Sequence, residues 1–367
     1  MKKHIDYIFL ISIIIVSIFG LVMIYSSSYI WAEYKFNDPY KYFKNQALFF
    51  IIGLIMIFLI TKLDINILKK NANKILLISI ILLILVLIPG IGRVRNGSRS
   101  WFGIGSFGIQ PSEATKLALI IFVSKYLTEK EKQMTNIKKG ILPVILLTLF
   151  VFGLIMLQPD FGTGIIIVMS IMGLLFIGGV PFKFFLYLGF LGIGGIIALI
   201  IMAPYRLKRI LSFLNPWSDP LGSGFQIIQS LYAIGPGGIF GQGFLNSRQK
   251  HFYLPEPQTD FIFAVFASNT GFVGSFLLIT LIILFDMHLI SLSMKSKKYI
   301  NKYIIAGILG MLIYQQVQNI GMTIGLLPIT GITLPFISYG GSSLLSYFIA
   351  IGFILNIYNE KKYKNQN

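Results

Sequence analysis

The chain has 367 residues, of which 55% are hydrophobic and only 12% are charged, and it contains no cysteine. Soluble domains carry about 25% charged residues, so this composition excludes a soluble globule. The many apolar and aromatic side chains exclude a disordered chain, and the lack of cysteine excludes a disulfide-stapled module and a thiolate metal site. We therefore predict an integral membrane protein.

The formal net charge is +18, which raises two interpretations. A basic chain can bind nucleic acid, or its lysines can flank membrane spans on the cytoplasmic side. The basic residues are dispersed between apolar runs and form no compact basic domain. We therefore predict no nucleic-acid partner.

Apolar runs that could cross the hydrocarbon core, which takes about 20 residues per helix, occur ten times. They lie near residues 5–25, 45–61, 75–90, 112–127, 140–157, 162–179, 183–203, 260–288, 303–327 and 342–358. The first run exceeds the roughly 7–15 residues of a signal-peptide core, so we interpret it as a retained helix. The predicted fold is an all-α polytopic membrane protein, a single domain over residues 1–367, with a large structured loop near 204–259 between helices 7 and 8.

Lysine and arginine in the short connecting segments set the predicted orientation, because they concentrate on the cytoplasmic side. With the N-terminus inside, the inner segments carry most of these charges, including those of 62–74, 125–139 and 295–302. We therefore predict that both termini are cytoplasmic and that loop 204–259 is extracytoplasmic.

All six arginines fall on the predicted outer side, whereas every inner basic residue is lysine. An AT-rich genome would explain scarce arginine but not its location on one side. Guanidinium is a planar donor fork suited to phosphate. Because ATP is absent outside the cell, this pattern indicates a lipid-linked diphosphate as ligand. The arginines are Arg93, Arg95, Arg99, Arg206, Arg209 and Arg248.

The loop 204–259 mixes glycine, proline, aromatic and charged residues. A loop this long within a compact protein is usually functional or disordered, and its aromatic residues favour order at the membrane surface. The glycine run at 235–241 is not a P-loop, because no Gly-Lys-Ser/Thr follows it. By itself this run predicts only turns.

Asp260 begins the eighth predicted span and allows two interpretations. Thr259 could be the N-cap of a helix whose first turn holds Asp260, where the helix dipole favours an acid. Alternatively, Asp260 is a carboxylate at the outer lipid boundary that accepts a proton from a hydroxyl.

Five other ionisable residues lie within the predicted spans or at their ends. Asp160 is expected to cap the sixth span. Glu113 and Lys116 lie three residues apart on one face of the fourth span, either as an intramembrane ion pair or as a wall of a substrate cavity. Asp286 and His288 are expected to be interfacial anchors at the inner end of the eighth span.

Six motifs in order along these spans resemble the SEDS family (shape, elongation, division and sporulation) of polytopic peptidoglycan polymerases. They are Gly20-Leu-Val-Met-Ile-Tyr-Ser-Ser-Ser28, Arg95-Asn-Gly-Ser-Arg-Ser-Trp101, Gln110-Pro-Ser-Glu113 with Lys116, Gln158-Pro-Asp-Phe-Gly-Thr163, Leu254-Pro-Glu-Pro-Gln-Thr-Asp-Phe-Ile-Phe-Ala264 and Gly331-Ile-Thr-Leu-Pro-Phe-Ile-Ser-Tyr-Gly-Gly-Ser-Ser343. Asn215-Pro-Trp217 and the segments after it are more similar to the division and sporulation branch, FtsW and stage V sporulation protein E, than to RodA.

The resemblance implies transfer of a growing glycan from undecaprenyl diphosphate onto the 4-hydroxyl of lipid II, with Asp260 as the catalytic acid residue of the family. We expect Asp260 to accept the proton of the acceptor hydroxyl, and nearby arginines to keep it ionised and to stabilise the leaving diphosphate. The predicted substrate-binding residues are Arg206, Arg209, Arg248, Lys250, Glu113, Lys116, Asp160, Arg99 and Glu256.

The resemblance also implies a partner, a class B penicillin-binding protein that cross-links the strand, among division or sporulation proteins at the septum. No nucleotide is required, and Mg²⁺ or Mn²⁺ could bridge the diphosphate, although no acidic cluster indicates a permanent metal site. Two other functions stay open: a lipid II flippase, and a scaffold for the transpeptidase without chemistry.

One departure from the family concerns Ser268 and Asn269. Family members usually carry two adjacent glutamates shortly after the catalytic motif, where this chain has Ser268 and Asn269 before Thr270 and Gly271. If the glutamates contribute to catalysis or to a helix contact, this chain is weak, specialised or dependent on a partner.

Overall fold

The computed structural model describes residues 6–95, 97–104, 107–202, 211, 213–244 and 254–363. Within them the chain forms twelve α-helices and one small sheet. The ten longer helices are α1 (Tyr7–Phe36), α2 (Lys41–Lys62), α4 (Ala72–Leu85), α5 (Pro111–Glu129), α6 (Leu142–Met156), α7 (Phe161–Ile177), α8 (Phe182–Met202), α10 (Ile262–Met294), α11 (Tyr299–Thr323) and α12 (Gly341–Tyr363). The two shorter helices are α3 (Ile65–Lys70) and α9 (Phe225–Ile234). Each predicted span overlaps one of the ten longer helices.

Apolar side chains cover the outside of this helix bundle. In the part of the chain that the structure describes, five helices are long and apolar enough to cross a membrane. They are Tyr7–Phe36, Lys41–Lys62, Ile137–Met156, Ile262–Met294 and Gly341–Glu360. Their surfaces expose residues such as Ile8 and Phe276, which water would not solvate but lipid does. The chain is an integral membrane protein.

Helix α1 is longer than predicted, since it continues past residue 25 to Phe36. Three consecutive serines end the apolar run, but they do not end the helix. The hydroxyls of Ser27 and Ser28 donate to the Ile24 carbonyl at 3.1 and 2.7 Å, so they are satisfied inside the helix without water. The helix ends where Asn37 adopts a left-handed conformation, with φ 54°.

A three-stranded antiparallel sheet lies between α4 and α5, where the all-α prediction has only a connecting segment. Its strands are β1 (Arg93–Arg95), β2 (Ser98–Ile104) and β3 (Phe107–Ile109), in the order β1-β2-β3. The Ser98 hydroxyl donates to the Gln158 carbonyl, which ties the sheet to the turn between α6 and α7. The Arg95 guanidinium lies 5.1 Å from the Trp101 ring centroid.

Helix α11 is central, because it packs against α5, α7 and α10, while α12 packs along α2. The contact between α12 and α2 is close, since the Phe348 ring occupies the space that a side chain at Gly53 would need. Between α11 and α12, residues 324–340 form an irregular segment that lies within the bundle, with Leu334, Phe336 and Ile337 buried.

The predicted loop 204–259 contains ordered structure in its described part. Helix α9 packs against α10 and α11, buries Ile227 and Ile228, and is fixed by the Ser230 hydroxyl, which donates to the Thr323 carbonyl at 2.6 Å. The prediction of order is therefore confirmed for this part of the loop.

Residues 237–243, which follow α9, insert into a break in α10. The backbone of α10 is interrupted at Gly271, which has φ 67° and ψ −161°. Across this break, backbone groups of residues 237–243 form the hydrogen bonds that the N–H and C=O groups of α10 cannot form within the helix. The four bonds run from Gln242 N to Ser268 O (2.9 Å), Gly243 N to Asn269 O (3.1 Å), Phe272 N to Gly238 O (2.9 Å) and Val273 N to Ile239 O (3.0 Å). The glycine run is thus a docking segment, which its sequence did not indicate.

Candidate active site

Asp260 lies in a tight turn before α10, outside the helix. The helix begins at Ile262, has Phe261 as its N-cap without a side-chain capping bond, and holds no acid in its first turn. The Thr259 hydroxyl donates instead to the Glu256 carbonyl at 3.1 Å. The interpretation of Thr259 as N-cap, with Asp260 in the first helical turn, is therefore wrong, because the chain uses both residues in a turn that precedes the helix.

The backbone of Asp260 is held by a buried amide on α11. Asn319 donates through Nδ2 to the carbonyl of Asp260 at 2.9 Å and to that of Ile332 at 2.6 Å. Beside the carboxylate lies Gly331, with φ 72°, where an added Cβ would be 3.6 Å from Oδ2 of Asp260. This arrangement fixes the position of the acid and keeps space open beside it.

The Asp260 side chain is only partly buried, and within the described residues its carboxylate accepts no hydrogen bond. Burial by the surrounding protein, with the nearby Glu256 carboxylate as a second cause, raises the pKa of Asp260 to about 7. A general base works best when its pKa is near the working pH. An accessible carboxyl with this pKa can therefore take up a proton from a substrate hydroxyl near neutral pH.

The turn that carries Asp260 is fastened to the segment before α12. Tyr339 donates its backbone N–H to the Gln258 carbonyl at 2.8 Å, and the Ser338 hydroxyl donates to the Thr259 carbonyl at 2.7 Å. On the other side, Gln46 of α2 donates to the Ser338 carbonyl at 3.2 Å. Helices α2 and α11 and the segments that precede α10 and α12 thus meet around the turn that carries Asp260.

Asp160 caps α7, as the sequence predicts. Its Oδ1 accepts from the Thr163 backbone N–H at 3.1 Å, and its Oδ2 accepts from Gln110 Nε2 at 2.7 Å. Burial is the main cause that raises its pKa above the ordinary value. Because both oxygens are occupied by protein donors, Asp160 is a structural anchor in this geometry.

Glu113 and Lys116 form the predicted ion pair on α5. Lys116 Nζ lies 2.8 Å from Glu113 Oε1, and the side chains are only 2% and 8% exposed. Oε2 of Glu113 is buried without a hydrogen-bond partner among the described residues. Nζ also lies 6.0 Å from the Tyr347 ring centroid, and the Tyr347 hydroxyl contacts Thr333 Oγ1 at 3.3 Å.

Residues 330–332 contact both the start of α7, which Asp160 caps, and Asp260. Gly162 in the first turn of α7 packs so closely on this segment that an added Cβ would be 2.5 Å from the Thr330 carbonyl oxygen. In the same segment, a Cβ at Gly331 would lie 3.6 Å from Oδ2 of Asp260. One short segment therefore connects the region around Asp160 with Asp260.

Most of the predicted basic ligands of the diphosphate fall outside the part of the chain that the structure describes. Arg206, Arg209, Arg248 and Lys250 lie outside the described residues. Arg99 is described, and its guanidinium donates to the Leu87 carbonyl at 3.4 Å, which is a contact between β2 and the end of the α4 segment.

Sequence reasoning missed two tyrosines near Asp260. Tyr42 of α2 and Tyr339 lie in a T-shaped contact with ring centroids 5.0 Å apart, and Glu256 acts electrostatically on both. Tyr339 belongs to the motif Gly331–Ser343, so the sequence offered a reason to consider it. Tyr42 belongs to none of the six motifs, and its contact with Tyr339 joins distant parts of the chain, so the sequence offered no indication of its position.

Asp286 and His288 lie inside helix α10, which continues past the predicted span to Met294. Asp286 Oδ1 accepts from Gln316 Nε2 of α11 at 3.4 Å, and His288 Nε2 lies 3.1 Å from Asp6 Oδ2. Their role as interfacial anchors stays a prediction.

Ser268 and Asn269, the positions that depart from the family pattern, lie at the break in α10. Asn269 Nδ2 donates to Ser26 Oγ of α1 at 3.2 Å, and Ser268 Oγ contacts Gln242 Oε1 at 3.4 Å. Asn269 therefore holds α10 to α1, and Ser268 holds α10 to the inserted residues 237–243. Both contacts are structural.

Known proteins of similar sequence and structure share this architecture. A family model for FtsW, RodA and SpoVE, described as "Cell cycle protein", matches residues 6–363. The chain is 47% identical to stage V sporulation protein E of Bacillus subtilis, with 99% of each chain covered. It is 42% identical to a probable peptidoglycan glycosyltransferase FtsW of Coxiella burnetii, with 92% of each covered.

Two solved structures have the same fold over nearly the whole chain. One, at 32% identity and TM-score 0.80 with 99% of each chain covered, comes from a peptidoglycan synthase complex that coordinates polymerization and crosslinking. The other is the rod shape determining protein RodA of Thermus thermophilus, at 28% identity and TM-score 0.71 with 98% of each chain covered.

Proposed function

This chain belongs to the SEDS family of FtsW, RodA and stage V sporulation protein E, and we propose that it is a peptidoglycan glycosyltransferase. It polymerises lipid II into glycan strands at the outer face of the cytoplasmic membrane during division or sporulation. The observation that carries this proposal is Asp260, an accessible carboxyl with a pKa of about 7 on a backbone held by Asn319.

The reaction needs one proton acceptor and one stabilised leaving group. Asp260 takes the proton of the acceptor 4-hydroxyl as that oxygen attacks the anomeric carbon of the donor sugar. The bond from this carbon to the diphosphate oxygen breaks, and undecaprenyl diphosphate leaves with the electron pair. The new glycosidic bond has inverted configuration, because attack and departure occur on opposite faces of the sugar.

The basic residues of the outer loop belong to the same proposal. Arg206, Arg209, Arg248 and Lys250 stabilise the charge that develops on the leaving diphosphate. In the described part of the chain, no group of three or more His, Cys, Asp or Glu side chains is placed to hold a metal ion. We therefore assign Mg²⁺ or Mn²⁺ to the diphosphate of the substrate, as an ion that arrives with it.

Three further residues, Glu113, Lys116 and Asp160, support the site without contacting the reacting atoms in this mechanism. Glu113 and Lys116 stabilise α5 against α12, where Ser346 donates to the Glu113 carbonyl at 3.1 Å. Asp160 fixes the start of α7 against residues 330–332, and that segment sets the free space beside Asp260. Their role in this mechanism is to hold the segment beside Asp260 in position.

The partner in this proposal is a class B penicillin-binding protein, whose transpeptidase cross-links the new strand. The similar structure from a synthase complex supports it. Both termini then face the cytoplasm, Asp260 faces outward, and the protein works at the septum with division or sporulation proteins.

The test is polymerisation of lipid II by the purified full-length protein, with and without its transpeptidase partner. We expect glycan ladders from the wild type and none from Asp260→Asn. A matched control is Asp38→Asn, which neutralises a carboxylate that pairs with Lys44 and accepts from the Tyr40 backbone N–H near the protein surface. Wild-type ladders from Asp260→Asn would overturn the mechanism. Lipid II flipping without polymer would indicate a transporter. The absence of both flipping and polymerisation would indicate a scaffold.

A further inference from the structure

Three aromatic residues from separate parts of the chain meet near the turn that carries Asp260. Trp31 of α1 forms a side-chain hydrogen bond with Tyr42 of α2. Tyr42 contacts Tyr339 edge to face, with ring centroids 5.0 Å apart and planes at 86°. All three side chains are partly exposed, so this surface, called here the aromatic surface, is accessible from outside the bundle.

The aromatic surface is fastened to the turn that carries Asp260. The backbone N–H of Tyr339 donates to the Gln258 carbonyl, two residues before the acid, at 2.8 Å. Gln46 also holds the segment, since its Oε1 accepts from the Gly340 N–H at 3.1 Å. The rings therefore keep a fixed position relative to the reacting carboxyl.

Polar groups lie around these rings. Asn45 forms a side-chain hydrogen bond with Tyr339, and both Arg95 and Glu256 lie close enough to Tyr339 to act on it electrostatically. Aromatic rings pack on the apolar C–H faces of sugars, while amide, carboxylate and guanidinium groups bond the sugar hydroxyls and acetamido groups. An apolar surface with a few convergent polar groups is typical of a small-molecule site.

The alternative is an aromatic belt, in which Trp and Tyr rings sit at the headgroup level of the bilayer. Tyr40 matches that description, because it is 47% exposed and stacks on Tyr25 at 5.1 Å. Tyr42 and Tyr339 differ, since they face one another and their electrostatic partner Glu256 also acts on Asp260. A belt does not require rings grouped at a reacting carboxyl.

We propose that Trp31, Tyr42 and Tyr339 form a saccharide-binding surface that holds the growing glycan strand beside Asp260. This inference rests on the proposed function and adds to it the place of the strand. The ligand is the N-acetylhexosamine backbone of the strand, bound through its sugar rings. By keeping the strand on the enzyme between additions, the surface lengthens the product.

The first experiment measures binding without turnover. Asp260→Asn protein in nanodiscs is titrated with an uncross-linked glycan tetrasaccharide of alternating N-acetylhexosamines, and saturation-transfer NMR reports the contact. We expect Tyr42→Leu and Tyr339→Leu to weaken binding about tenfold, as loss of a ring contact of this kind predicts. The control Tyr40→Leu should bind as before, and Tyr339→Phe, which keeps the ring, should retain most of the affinity.

The second experiment measures strand length. In the otherwise native protein, Tyr42→Leu and Tyr339→Leu should shorten the mean strand. The control Tyr40→Leu should leave both the strand length and the initial rate of lipid II consumption within about twofold of the wild type. Thermal unfolding of each variant checks that it folds. If a leucine variant does not fold, the corresponding variant, Tyr42→Phe or Tyr339→Phe, shows whether the aromatic ring alone supports the wild-type strand length.

Three results would overturn the inference. They are unchanged tetrasaccharide affinity in the leucine variants, unchanged strand length, and a raised KM for lipid II at unchanged length, which would assign the surface to the acceptor sugar instead. If the wild type makes no polymer, the proposed function fails, while the binding experiment still decides this inference.

Discussion

Two acidic regions are connected through residues 330–332, and the protein surrounds them differently. In one region, Glu113 is paired with Lys116 at 2.8 Å in a buried environment, and both oxygens of Asp160 accept hydrogen bonds. In the other region, Asp260 is partly exposed and its carboxylate has no hydrogen-bond donor among the described residues.

The difference teaches how similar acids take separate roles. A buried carboxylate must be paired or hydrogen-bonded, because an unpaired buried charge costs several kcal/mol. Glu113 and Asp160 meet that requirement and so contribute to stability. Asp260 instead has a fixed backbone, is partly exposed, and accepts no hydrogen bond at its carboxylate from the described residues. This arrangement leaves the carboxylate able to take up a proton.

The largest expected effect is on activity, from Asp260→Asn. A general base contributes about 10²–10⁴-fold to rate, so polymerisation should fall by at least about 100-fold. Thermal unfolding should change little, because no hydrogen bond to the carboxylate is lost within the described residues. A melting temperature that falls as far as that of a Lys116 variant would contradict the contrast between the regions.

The opposite pattern is expected from Lys116→Met, which leaves Glu113 buried and unpaired. Breaking a buried pair costs about 3–5 kcal/mol, so this variant should unfold at a clearly lower temperature in the same detergent. Adding Glu113→Gln removes the unpaired charge and should restore part of the stability. Equal stability of the single and the double variant would show that the pair is not the cause.

A third prediction concerns the insertion of residues 237–243. Gly241 has φ 82°, and a side chain there would overlap the Asn269 carbonyl, so Gly241→Ala should destabilise the protein by about 2 kcal/mol or more. The matched control is Gly235→Ala, since nothing lies within 4 Å of an added Cβ at that position. Thermal unfolding of the two variants checks this, and similar values would contradict it.

The smallest expected effect is a shift in the pH profile. The base form of Asp260 is lost as pH falls through its pKa of about 7, so the polymerisation rate should rise with pH through that value. Glu256→Gln removes the second cause of the raised pKa while burial, the first cause, remains. The rising limb should move to lower pH by less than about one unit.

The control for this shift is Glu33→Gln, which neutralises an exposed glutamate on α1. The initial rate of lipid II polymerisation is measured across pH 5 to 9 for both variants, a range of about two units on either side of the expected midpoint. A midpoint that stays fixed in Glu256→Gln, or moves upward, would show that Glu256 does not act on the base.

The membrane helices could be predicted from the sequence because a bilayer demands a long apolar run for each of them. The same rule placed the end of α1 too early, because it counts only apolar residues. It takes no account of the hydrogen bonds that the Ser27 and Ser28 hydroxyls form within the helix. The ion pair of Glu113 and Lys116 was predictable because its spacing is local.

Features made by distant segments could not be predicted in this way. The contact of Tyr42 with Tyr339 depends on how α2 packs against the segment before α12, and no periodicity records it. The docking of residues 237–243 depends on four backbone hydrogen bonds and one side-chain contact between Gln242 and Ser268. The residue types of this segment, apart from its glycines, therefore do not indicate the docking. Thr259 matched a capping pattern, but the tertiary contacts of Ser338 pull its carbonyl into a turn.

The break at Gly271 has a consequence for biogenesis. A helix that enters lipid with interrupted hydrogen bonds leaves backbone groups without partners, at several kcal/mol for each group. The groups that complete α10 belong to residues 237–243, which are synthesised before it. Completion of α10 therefore depends on docking of that segment, so the order of synthesis matches the order in which the parts are needed.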